Sequence, residues 1–454
     1  MKKIILTIII FFFSILNINA QNITGWWKGD LNVMNQNLEL YLHVLIDSDS
    51  NYVANLTIPE QSVIDLDAQI KYDNPKLVLE ISKYNILIEG VIINNSYMAQ
   101  YHQNESNIPI NFYPSDGPCS DRPQTPKPPY SYNIEEVTFH NAQDNIDLSG
   151  TYTYPKTGDD YSAVVMITGS GYQNRDEEIM GHKPFWVIAD YLSKNGIAVL
   201  RYDDRGFGKS GGTMIGNTSE DFSRDVEAAI TFLRKEKGIN NVGLCGHSEG
   251  GPIAFIVAAR NSSKVNFIVS LAGPAIRGDE ILLSQQIALA KAAGIPETIY
   301  LPANNLNKNL FDILLSSDNN NSELKDSLIY YVDHISTDSI PSREKDKIIA
   351  QLTDPWLYYF IKFNPFNDLV KLHLPILVLN GTKDLQVLSN INIPAYNKAF
   401  KESGNSKYEI HELKGLNHLF QHADKGSVDE YFTIKETISP EVLDIIEQWI
   451  NTLD

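Results

Sequence analysis

The chain has 454 residues, enough for two or three domains with a substantial core. Its formal net charge at pH 7 is −19, so its surface repels nucleic acid and anionic lipid, and we expect neither as a partner. Its 2 cysteines, Cys119 and Cys245, exclude a disulfide-rich scaffold and a structural zinc site built from cysteines.

Residues 1–20 have the pattern of a secretory signal peptide. Lys2 and Lys3 precede an apolar stretch over residues 4–16, and Ala20 suits the cleavage position. The apolar stretch is too short to span a bilayer comfortably, and no later stretch is long enough. The sequence therefore predicts export, to the periplasm or as a secreted protein, and no membrane span.

Residues 21–114 are predicted to form a β-rich N-terminal domain. Stretches such as residues 38–44 alternate apolar and polar side chains, and turn-forming residues cluster between them. The pair Trp26 and Trp27 fits the plugged end of a small barrel or sandwich better than the wall of a ligand cup. Prolines stiffen residues 115–133, which we interpret as a linker or as a strap against the next domain.

Strand and helix patterns alternate over residues 134–454. The predicted strands cover residues 137–140, 148–154, 163–167, 197–202, 242–245, 267–271, 376–380 and 408–413. The predicted helices cover residues 184–194, 217–238, 252–259 and 440–453. This alternation indicates an α/β domain with a mostly parallel sheet and helices on both faces. In such sheets, reactive groups gather beyond the carboxyl ends of the strands.

Residues 275–366 interrupt the alternation with a series of helical patterns. The patterns cover residues 280–293, 310–315, 324–334 and 345–352, with polar loops between them. Because this insert lies between two core strands beside the reactive edge, we interpret it as a helical cap that gates the substrate. A decorative helical excursion without that role is the alternative.

Residues 246–250 read Gly-His-Ser-Glu-Gly, a G-x-S-x-G nucleophile elbow with Ser248 at its centre. The serine sits on a sharp turn between a strand and a helix, where side chains two residues before and after it would clash. A short apolar run precedes the motif, and Pro252 opens an apolar helix after it, as the geometry requires. Ser248 is therefore the predicted nucleophile.

A serine hydroxyl needs a base that is held by a third group, and after such an elbow the chain order is serine, acid, histidine. Asp384 follows the predicted strand 376–380 and is the predicted acid. Asp279 or Glu280, after the preceding strand, is the alternative acid. His418 lies in the loop after the last strand, at the same edge of the sheet, and is the predicted base.

The chain has 10 histidines, and strand-end placement and chain order favour His418 among them. His411 falls inside a predicted strand, and His422 lies a turn further along the chain. His247 belongs to the elbow itself, and we expect its side chain to face away from the position of the base. None of these three combines the two features that favour His418.

The tetrahedral intermediate needs N–H donors that point at its oxyanion. One donor is predicted to be the backbone amide of Glu249, at the start of the helix after the nucleophile. Residues 168–172 follow the predicted strand 163–167 and read Thr-Gly-Ser-Gly-Tyr, and small residues there allow a close backbone approach. Ser170 is predicted to supply the second N–H, with Gly171 as the alternative.

Residues 203–212 contain glycines followed by charged and hydroxyl side chains, as a phosphate-binding loop does. The spacing G-x-x-x-x-G-K-[ST] is missing, however, and two aspartates precede the glycines. We therefore interpret the segment as a buried brace of aspartate and arginine beneath the active-site loop, and we expect no nucleotide there.

Five segments, in this order, resemble those of EstD-type bacterial carboxylesterases of the α/β-hydrolase superfamily. They are residues 169–177, 202–210, 246–251, 384–387 and 416–421. The resemblance implies an α/β-hydrolase fold preceded by a small all-β domain. It also implies that Ser248, Asp384 and His418 form a triad that hydrolyses carboxylic esters, with a preference for short acyl chains. Thr168 is a departure, because many relatives have a histidine there, so the packing of this loop can differ.

We therefore expect an exported serine hydrolase that acts on small-molecule esters and needs no metal and no organic cofactor. Two alternatives stay open. A serine aminopeptidase or related amide hydrolase would use the same triad. A ligand-binding protein with an inactive hydrolase domain would bind through its β domain instead.

Overall fold

The computed structural model describes residues 23–453, apart from residues 34–35, 48–49, 62, 94, 105, 116, 118–121, 159, 261–263 and 336–341. The predicted signal peptide and Cys119 lie outside the described residues. The chain divides into two compact units, Met1–Ser120 and Asp121–Asp454. No helix among the described residues is long and apolar enough to cross a membrane.

The first unit contains a closed antiparallel barrel in which each strand pairs with the next one in sequence. Its strands are β1 (Gly25–Val33), β2 (Gln36–Ile46), β3 (Tyr52–Ile58), β4 (Val63–Asp73), β5 (Lys76–Ile81), β6 (Ile86–Ile93), β7 (Ser96–Gln103) and β8 (Ser106–Ser115), with short 3₁₀ turns at Pro59–Gln61 and Ser82–Tyr84. β1 also pairs with β8, which closes the sheet. The alternating side chains of these strands fill the interior with aliphatic and aromatic groups.

The two tryptophans of β1 point to opposite faces of the strand, because neighbouring residues of a strand alternate sides. Trp27 is buried in the barrel core, and its indole N–H donates to the carbonyl of Ile23 at 2.9 Å. Trp26 instead stacks on the imidazole of His43, with ring centroids 4.0 Å apart. Of the two rings, Trp27 alone belongs to the core, so they do not plug the barrel as a pair.

The second unit is built on one eight-stranded sheet. Its strands are β9 (Asn133–Asn141), β10 (Ile146–Tyr154), β11 (Ala163–Ile167), β12 (Ala198–Tyr202), β13 (Val242–His247), β14 (Phe267–Leu271), β15 (Ile376–Gly381) and β16 (Tyr408–Leu413). Their order is β16-β15-β14-β13-β11-β12-β10-β9. β9, β10 and β12 pair antiparallel, whereas all neighbours from β12 to β16 are parallel. The predicted mostly parallel sheet is confirmed.

Helices cover both faces of this sheet, as predicted. Outside the insert they are α1 (Pro184–Lys194), α2 (Ser219–Lys235), α3 (Gly250–Arg260), α10 (Ser389–Ser403), α11 (Glu430–Thr433) and α12 (Pro440–Asn451). Side chains of α2, α3 and α10 pack on one face, and those of α1 and α12 pack on the other. Alternate residues of β11 join the two apolar clusters, because a buried parallel strand has an apolar environment on both sides.

The helical insert (residues 275–366) lies between β14 and β15. Its helices are α4 (Gly278–Ala292), α5 (Glu297–Ser316), α6 (Ser322–Tyr330), α7 (Ser342–Leu352) and α8 (Pro355–Lys362), with a π-helical turn at Tyr331–Ile335. The short helix α9 (Phe366–Leu369) follows, between the insert and β15. The insert has an apolar cluster of its own. The sequence patterns did not predict α8, although Pro355 begins it and the carboxylate of Asp354 accepts the amides of Trp356 and Leu357.

The proline-rich segment after the barrel is bound into the second unit from residue 122 onward. The guanidinium of Arg122 donates to backbone carbonyls of that unit, among them those of Met180, Tyr431, Phe432 and Ile434. The side chain of Gln124 donates to the carbonyl of Ile438 and accepts the amide of Thr437. These bonds explain why the compact second unit begins within residues 115–133 and not after them.

Candidate active site

The backbone around Ser248 has the geometry of a nucleophile elbow. β13 ends at His247 and α3 begins at Gly250, while Ser248 between them has a φ of +51°, a strained value for a residue with a side chain. A Cβ on Gly246 would lie 2.1 Å from the carbonyl oxygen of Gly250, so glycine is required there. The amide of Ser248 donates to the carbonyl of Leu271 at 2.8 Å, which ties the turn to β14.

His418 and Asp384 meet at the carboxyl edge of the parallel strands. His418 Nδ1 lies 2.9 Å from Asp384 Oδ2, and both side chains are buried. The other carboxylate oxygen accepts the amides of Gln386 and Val387, each at 2.8 Å, and Asn380 donates to Oδ2 at 3.1 Å. Because these donors suit an ionised carboxylate, Nδ1 of His418 carries the proton and Nε2 is the basic nitrogen.

The alternative acids and bases have other partners. Asp279 binds Arg277 at 2.6 Å, His411 faces Glu409 at 3.4 Å, and His422 binds Glu436 at 2.9 Å. Glu280 is exposed on α4. The structure therefore brings Asp384, and neither alternative acid, to His418.

A cavity of about 290 Å³ contains the elbow and the histidine. Ser248, His418, Ser170 and Glu249 all line this cavity. We call residues 168–172 the oxyanion loop, because they are predicted to supply the second N–H donor. Of the two candidates in this loop, Ser170 lines the cavity, whereas Gly171 is outside its described lining. The helical insert supplies apolar wall residues, namely Ile281, Leu282, Trp356 and Phe360.

The carboxylate of Glu249 connects three segments that are distant in sequence. Ser170 Oγ donates to its Oε2 at 2.6 Å, and Ser219 Oγ donates to its Oε1 at 2.5 Å. The indole N–H of Trp356 donates to both oxygens, at 3.0 and 3.1 Å. The side chain next to the nucleophile thus joins the oxyanion loop, the start of α2 and the helical insert.

The expectation that His247 faces away from the base is wrong. The rings of His247 and His418 lie 4.7 Å apart, and His247 Nε2 is 2.9 Å from the backbone carbonyl oxygen of His418. His247 Nδ1 is 3.0 Å from Oε1 of Glu177. The reason is that the loop carrying His418 crosses two intervening strands, β15 and β14, to reach the end of β13.

Residues 203–212 form braces with other segments of the chain. Their first three side chains have separate partners: Asp203 binds Arg175, Asp204 accepts a hydrogen bond from Thr168, and Arg205 binds Asp225. Burial raises the pKa of Asp204 well above its usual range. The predicted brace is therefore made with residues from other parts of the chain, namely Arg175, Thr168 and Asp225. Among the described residues, no group of three or more His, Cys, Asp or Glu is placed to hold a metal ion.

Residues 185–424, just over half of the chain, match the family described as Serine aminopeptidase, S33. The chain belongs to this family. One relative of this family member is Esterase EstD of Thermotoga maritima. The two chains are 25% identical over 322 residues, which cover 71% of this chain and 68% of EstD. Together with the strand order and the elbow, membership identifies the second unit as an α/β-hydrolase fold, as predicted.

This family member also resembles solved structures, but with low sequence identity. An esterase of Pyrococcus furiosus is 15% identical with a TM-score of 0.44, and the match covers 71% of this chain and 92% of that one. Est1E from Butyrivibrio proteoclasticus, with ferulic acid bound, is 16% identical with a TM-score of 0.42, covering 70% of this chain and 98% of that one.

The sequence analysis of this serine aminopeptidase family member gave no role in the cavity to Glu177 or Trp356, although both line it. Glu177 stands in a segment that carries the resemblance to EstD-type esterases, but the motif alone suggests no role for it. Trp356 comes from α8, whose sequence signal is the Asp354-Pro355 pair at its start. Both contact residues of the elbow that are distant in sequence, which no local pattern records.

Proposed function

We propose that the protein is a serine hydrolase that cleaves carboxylic esters with short acyl chains, through Ser248, His418 and Asp384. The observation that carries the proposal is the 2.9 Å contact between His418 Nδ1 and Asp384 Oδ2, beside the cavity that Ser248 also lines. The relation to EstD, an esterase, supports the ester as the bond that is cleaved.

In the first half of the reaction, Ser248 Oγ attacks the ester carbonyl while Nε2 of His418 accepts the serine proton. A new C–O bond forms, and the carbonyl electrons move onto the oxygen. When the tetrahedral intermediate collapses, the alcohol leaves with the proton from His418, and the acyl group stays on Ser248. Asp384 orients the ring and stabilises its positive charge.

In the second half, a water gives its proton to His418 and its oxygen attacks the acyl carbonyl. Collapse breaks the bond to Ser248, returns the proton to Oγ and releases the carboxylic acid. The backbone amides of Glu249 and Ser170 hold the oxyanion in both halves, and loss of one such donor typically costs ~3 kcal/mol. These steps need no metal and no organic cofactor.

The size of the cavity supports short acyl chains. Its volume of about 290 Å³ lies just below the range for ligand pockets, about 300–1,000 Å³. Leu282 and Phe360 of the helical insert add apolar wall to the cavity that Ser248 and His418 line. An acyl chain of a few carbons can fill this space, and we propose that the insert gates its entry.

Amide cleavage is the second candidate, because the matching family is described as Serine aminopeptidase. An aminopeptidase has to bind the free ammonium group of its substrate, and a carboxylate suits that task. Of the described residues that line the cavity, the carboxylates are Glu177 and Glu249. Both are already hydrogen-bonded, Glu249 to three side chains and Glu177 to Gly169 and His247, which favours ester substrates.

The experiment compares hydrolysis of p-nitrophenyl acetate with that of amino-acid p-nitroanilides by the mature protein. We expect turnover of the acetate and none of the anilides. A fluorophosphonate is expected to label the wild type and not Ser248→Ala. Ser327→Ala, at a serine of α6 outside the cavity lining, is the matched control and should keep both labelling and turnover.

The outcomes separate the candidates. Preferential anilide turnover, with labelling of Ser248, would assign amide hydrolysis instead. Absence of labelling and of turnover on either substrate class would make the protein a binding protein with an inactive hydrolase unit.

We propose in addition that residues 1–20 direct export and are removed. The paired lysines, the apolar residues 4–16 and Ala20 support this. Mass spectrometry of the protein recovered from the periplasm or medium is expected to give an N-terminus at Gln21. An intact Met1 on protein in the cytoplasm would contradict export.

A further inference from the structure

His247 has hydrogen-bond acceptors on both sides of its ring. Nδ1 faces a carboxylate oxygen of Glu177 at 3.0 Å, and Nε2 faces the carbonyl oxygen of His418 at 2.9 Å. A carbonyl oxygen cannot donate and an ionised carboxylate only accepts, so with Glu177 ionised both ring nitrogens carry protons, which is the imidazolium form. Burial lowers the pKa of His247, but the charge and hydrogen bond of Glu177 outweigh it and raise this pKa above its ordinary value.

Glu177 and His247 therefore form a buried ion pair, with side chains only 6% and 9% exposed. Glu177 Oε1 also accepts the amide of Gly169 at 2.7 Å, so one oxygen serves both the imidazolium and a backbone donor. Removal of one partner from such a pair leaves the other charge buried without compensation. The pair is thus a fixed connection between the segments that carry it.

The two ends of this connection lie on the two sides of the reaction centre. Gly169 directly precedes Ser170 in the oxyanion loop, and a Cβ on Gly169 would lie 3.1 Å from Cβ of Ser248. At the other end, His247 holds the backbone of His418, the residue that carries the base. His247 is also the chain neighbour of Ser248, so the connection passes directly beside the nucleophile.

We propose that the Glu177–His247 pair is a positioning device that holds the oxyanion loop and the base in place around Ser248. This rests on the esterase function proposed above. We class both as positioning residues, because one acts through the amide of Gly169 and the other through the carbonyl of His418.

The charge of Glu177 also affects the base during the reaction. The rings of His247 and His418 are 4.7 Å apart, so two imidazolium ions stand side by side once His418 has taken the serine proton. The negative charge of Glu177 on the far side of His247 offsets this repulsion, as Asp384 does for His418. Removing Glu177 leaves burial to lower the pKa of His247, so the ring loses a proton as well as its hydrogen bond to Glu177.

The test compares Glu177→Ala, which removes charge and acceptor, with Glu177→Gln, which keeps an oxygen for the Gly169 amide. With p-nitrophenyl acetate, we expect kcat of Glu177→Ala to fall about 10²-fold, as after loss of an oxyanion donor, with KM within about twofold. We expect kcat of Glu177→Gln to be about tenfold higher than that of Glu177→Ala, because the Gln oxygen still accepts the Gly169 amide. The control is Glu178→Ala: the side chain of Glu178 is 38% exposed and pairs with Lys183 at 3.4 Å, so wild-type kcat is expected.

Circular dichroism and the thermal midpoint establish that each variant is folded. A folded Glu177→Ala variant whose kcat stays within about threefold of wild type would overturn the proposal. So would a loss that appears in KM alone, because a positioning role acts on the chemical steps.

A second measurement does not depend on ester turnover. In protein labelled with nitrogen-15 histidine, we expect His247 to show two N–H signals at neutral pH, assigned by their loss in His247→Gln. A neutral His247 in the wild type would refute the ion pair, whatever the activity. If the imidazolium is present but the wild type cleaves no ester and Ser248 takes no fluorophosphonate, the proposed function fails, and the positioning role fails with it.

Discussion

Ser170 Oγ donates a 2.6 Å hydrogen bond to Glu249 Oε2, and this bond joins the two residues whose backbone amides are proposed to hold the oxyanion. The carboxylate that receives it is itself held by Ser219 and Trp356. The oxyanion loop is therefore anchored to a side chain with little freedom to move. The spacing of the two amides depends on this anchor.

Ser170→Ala keeps the backbone amide but removes the anchor. We expect kcat for p-nitrophenyl acetate to fall roughly tenfold, because a hydrogen bond to a charged group contributes about 1.5–3 kcal/mol and about 1.4 kcal/mol corresponds to tenfold. Ser219→Ala is the matched variant, since it takes an equal donor from the same carboxylate without altering the loop. Equal losses of kcat in the two variants would contradict the role given to the loop.

Asp384→Asn is expected to lower kcat by about 10⁴-fold. The amides of Gln386 and Val387 and the side chain of Asn380 all donate toward this position. The two backbone amides hold the oxygen of the new amide at the Oδ1 position, so its NH₂ group takes the Oδ2 position that faces His418. This group forces the proton onto Nε2, which can then no longer accept one. Steady-state kinetics check this against Asp279→Asn, which should stay close to wild type. The reverse pattern would move the acid to Asp279.

Trp356→Ala is expected to shift the acyl preference toward longer chains. Trp356 lines both the catalytic cavity and a second cavity of about 630 Å³ in the helical insert, so its ring is part of the wall between them. A series of p-nitrophenyl esters from acetate to decanoate measures the shift as a change in kcat/KM. Trp356→Phe keeps a ring in the wall and should keep the short-chain preference. An unchanged profile for Trp356→Ala would show that chain length is limited elsewhere.

His182 is expected to make the hydrolase unit less stable in acid. It is buried between Thr437 Oγ1, at 3.0 Å, and the carbonyl of Tyr431, at 2.8 Å. Burial, followed by the charge of Arg122, lowers the pKa of His182 from 6.5 to about 4. As the pH falls below 6.5, His182 therefore binds a proton in the unfolded chain before it does so in the folded protein. The free energy of unfolding decreases over this range, by roughly 3 kcal/mol in all once the pH reaches about 4.

The measurement is urea unfolding at pH 7 and pH 5, followed by far-ultraviolet circular dichroism, which reports mainly the helical second unit. The free energy of unfolding of the wild type is expected to fall by about 2 kcal/mol more than that of His182→Gln between these pH values. His373→Gln, at an exposed histidine, is the control and should follow the wild type. Equal acid sensitivity of wild type and His182→Gln would show that another group is responsible.

Much of the candidate site could be predicted because the residues of the proposed triad follow strands. Ser248, Asp384 and His418 each stand just beyond an apolar strand, and parallel strands bring their carboxyl ends to one edge. Local patterns therefore indicate where these residues lie without any knowledge of contacts. The same holds for α1, whose predicted bounds, residues 184–194, are those observed.

The rest depends on contacts between distant segments. Glu177 is 70 residues from His247, and Trp356 is 107 residues from Glu249. Neither belongs to a periodic pattern, so nothing local marks it as part of the cavity. The direction of the His247 side chain was mispredicted for the same reason, since it depends on a loop that crosses β14 and β15.

The bonds of Arg122 bear on how the catalytic unit can be separated from the barrel. A truncated chain that starts after the last proline of residues 115–133 would remove the guanidinium and leave the carbonyls of Met180, Phe432 and Ile434 without this donor. Arg122 also donates to the carbonyl of Tyr431, and Tyr431 lines the cavity. A protein engineer who wants a stand-alone enzyme should therefore cut upstream of Arg122 and retain the prolines.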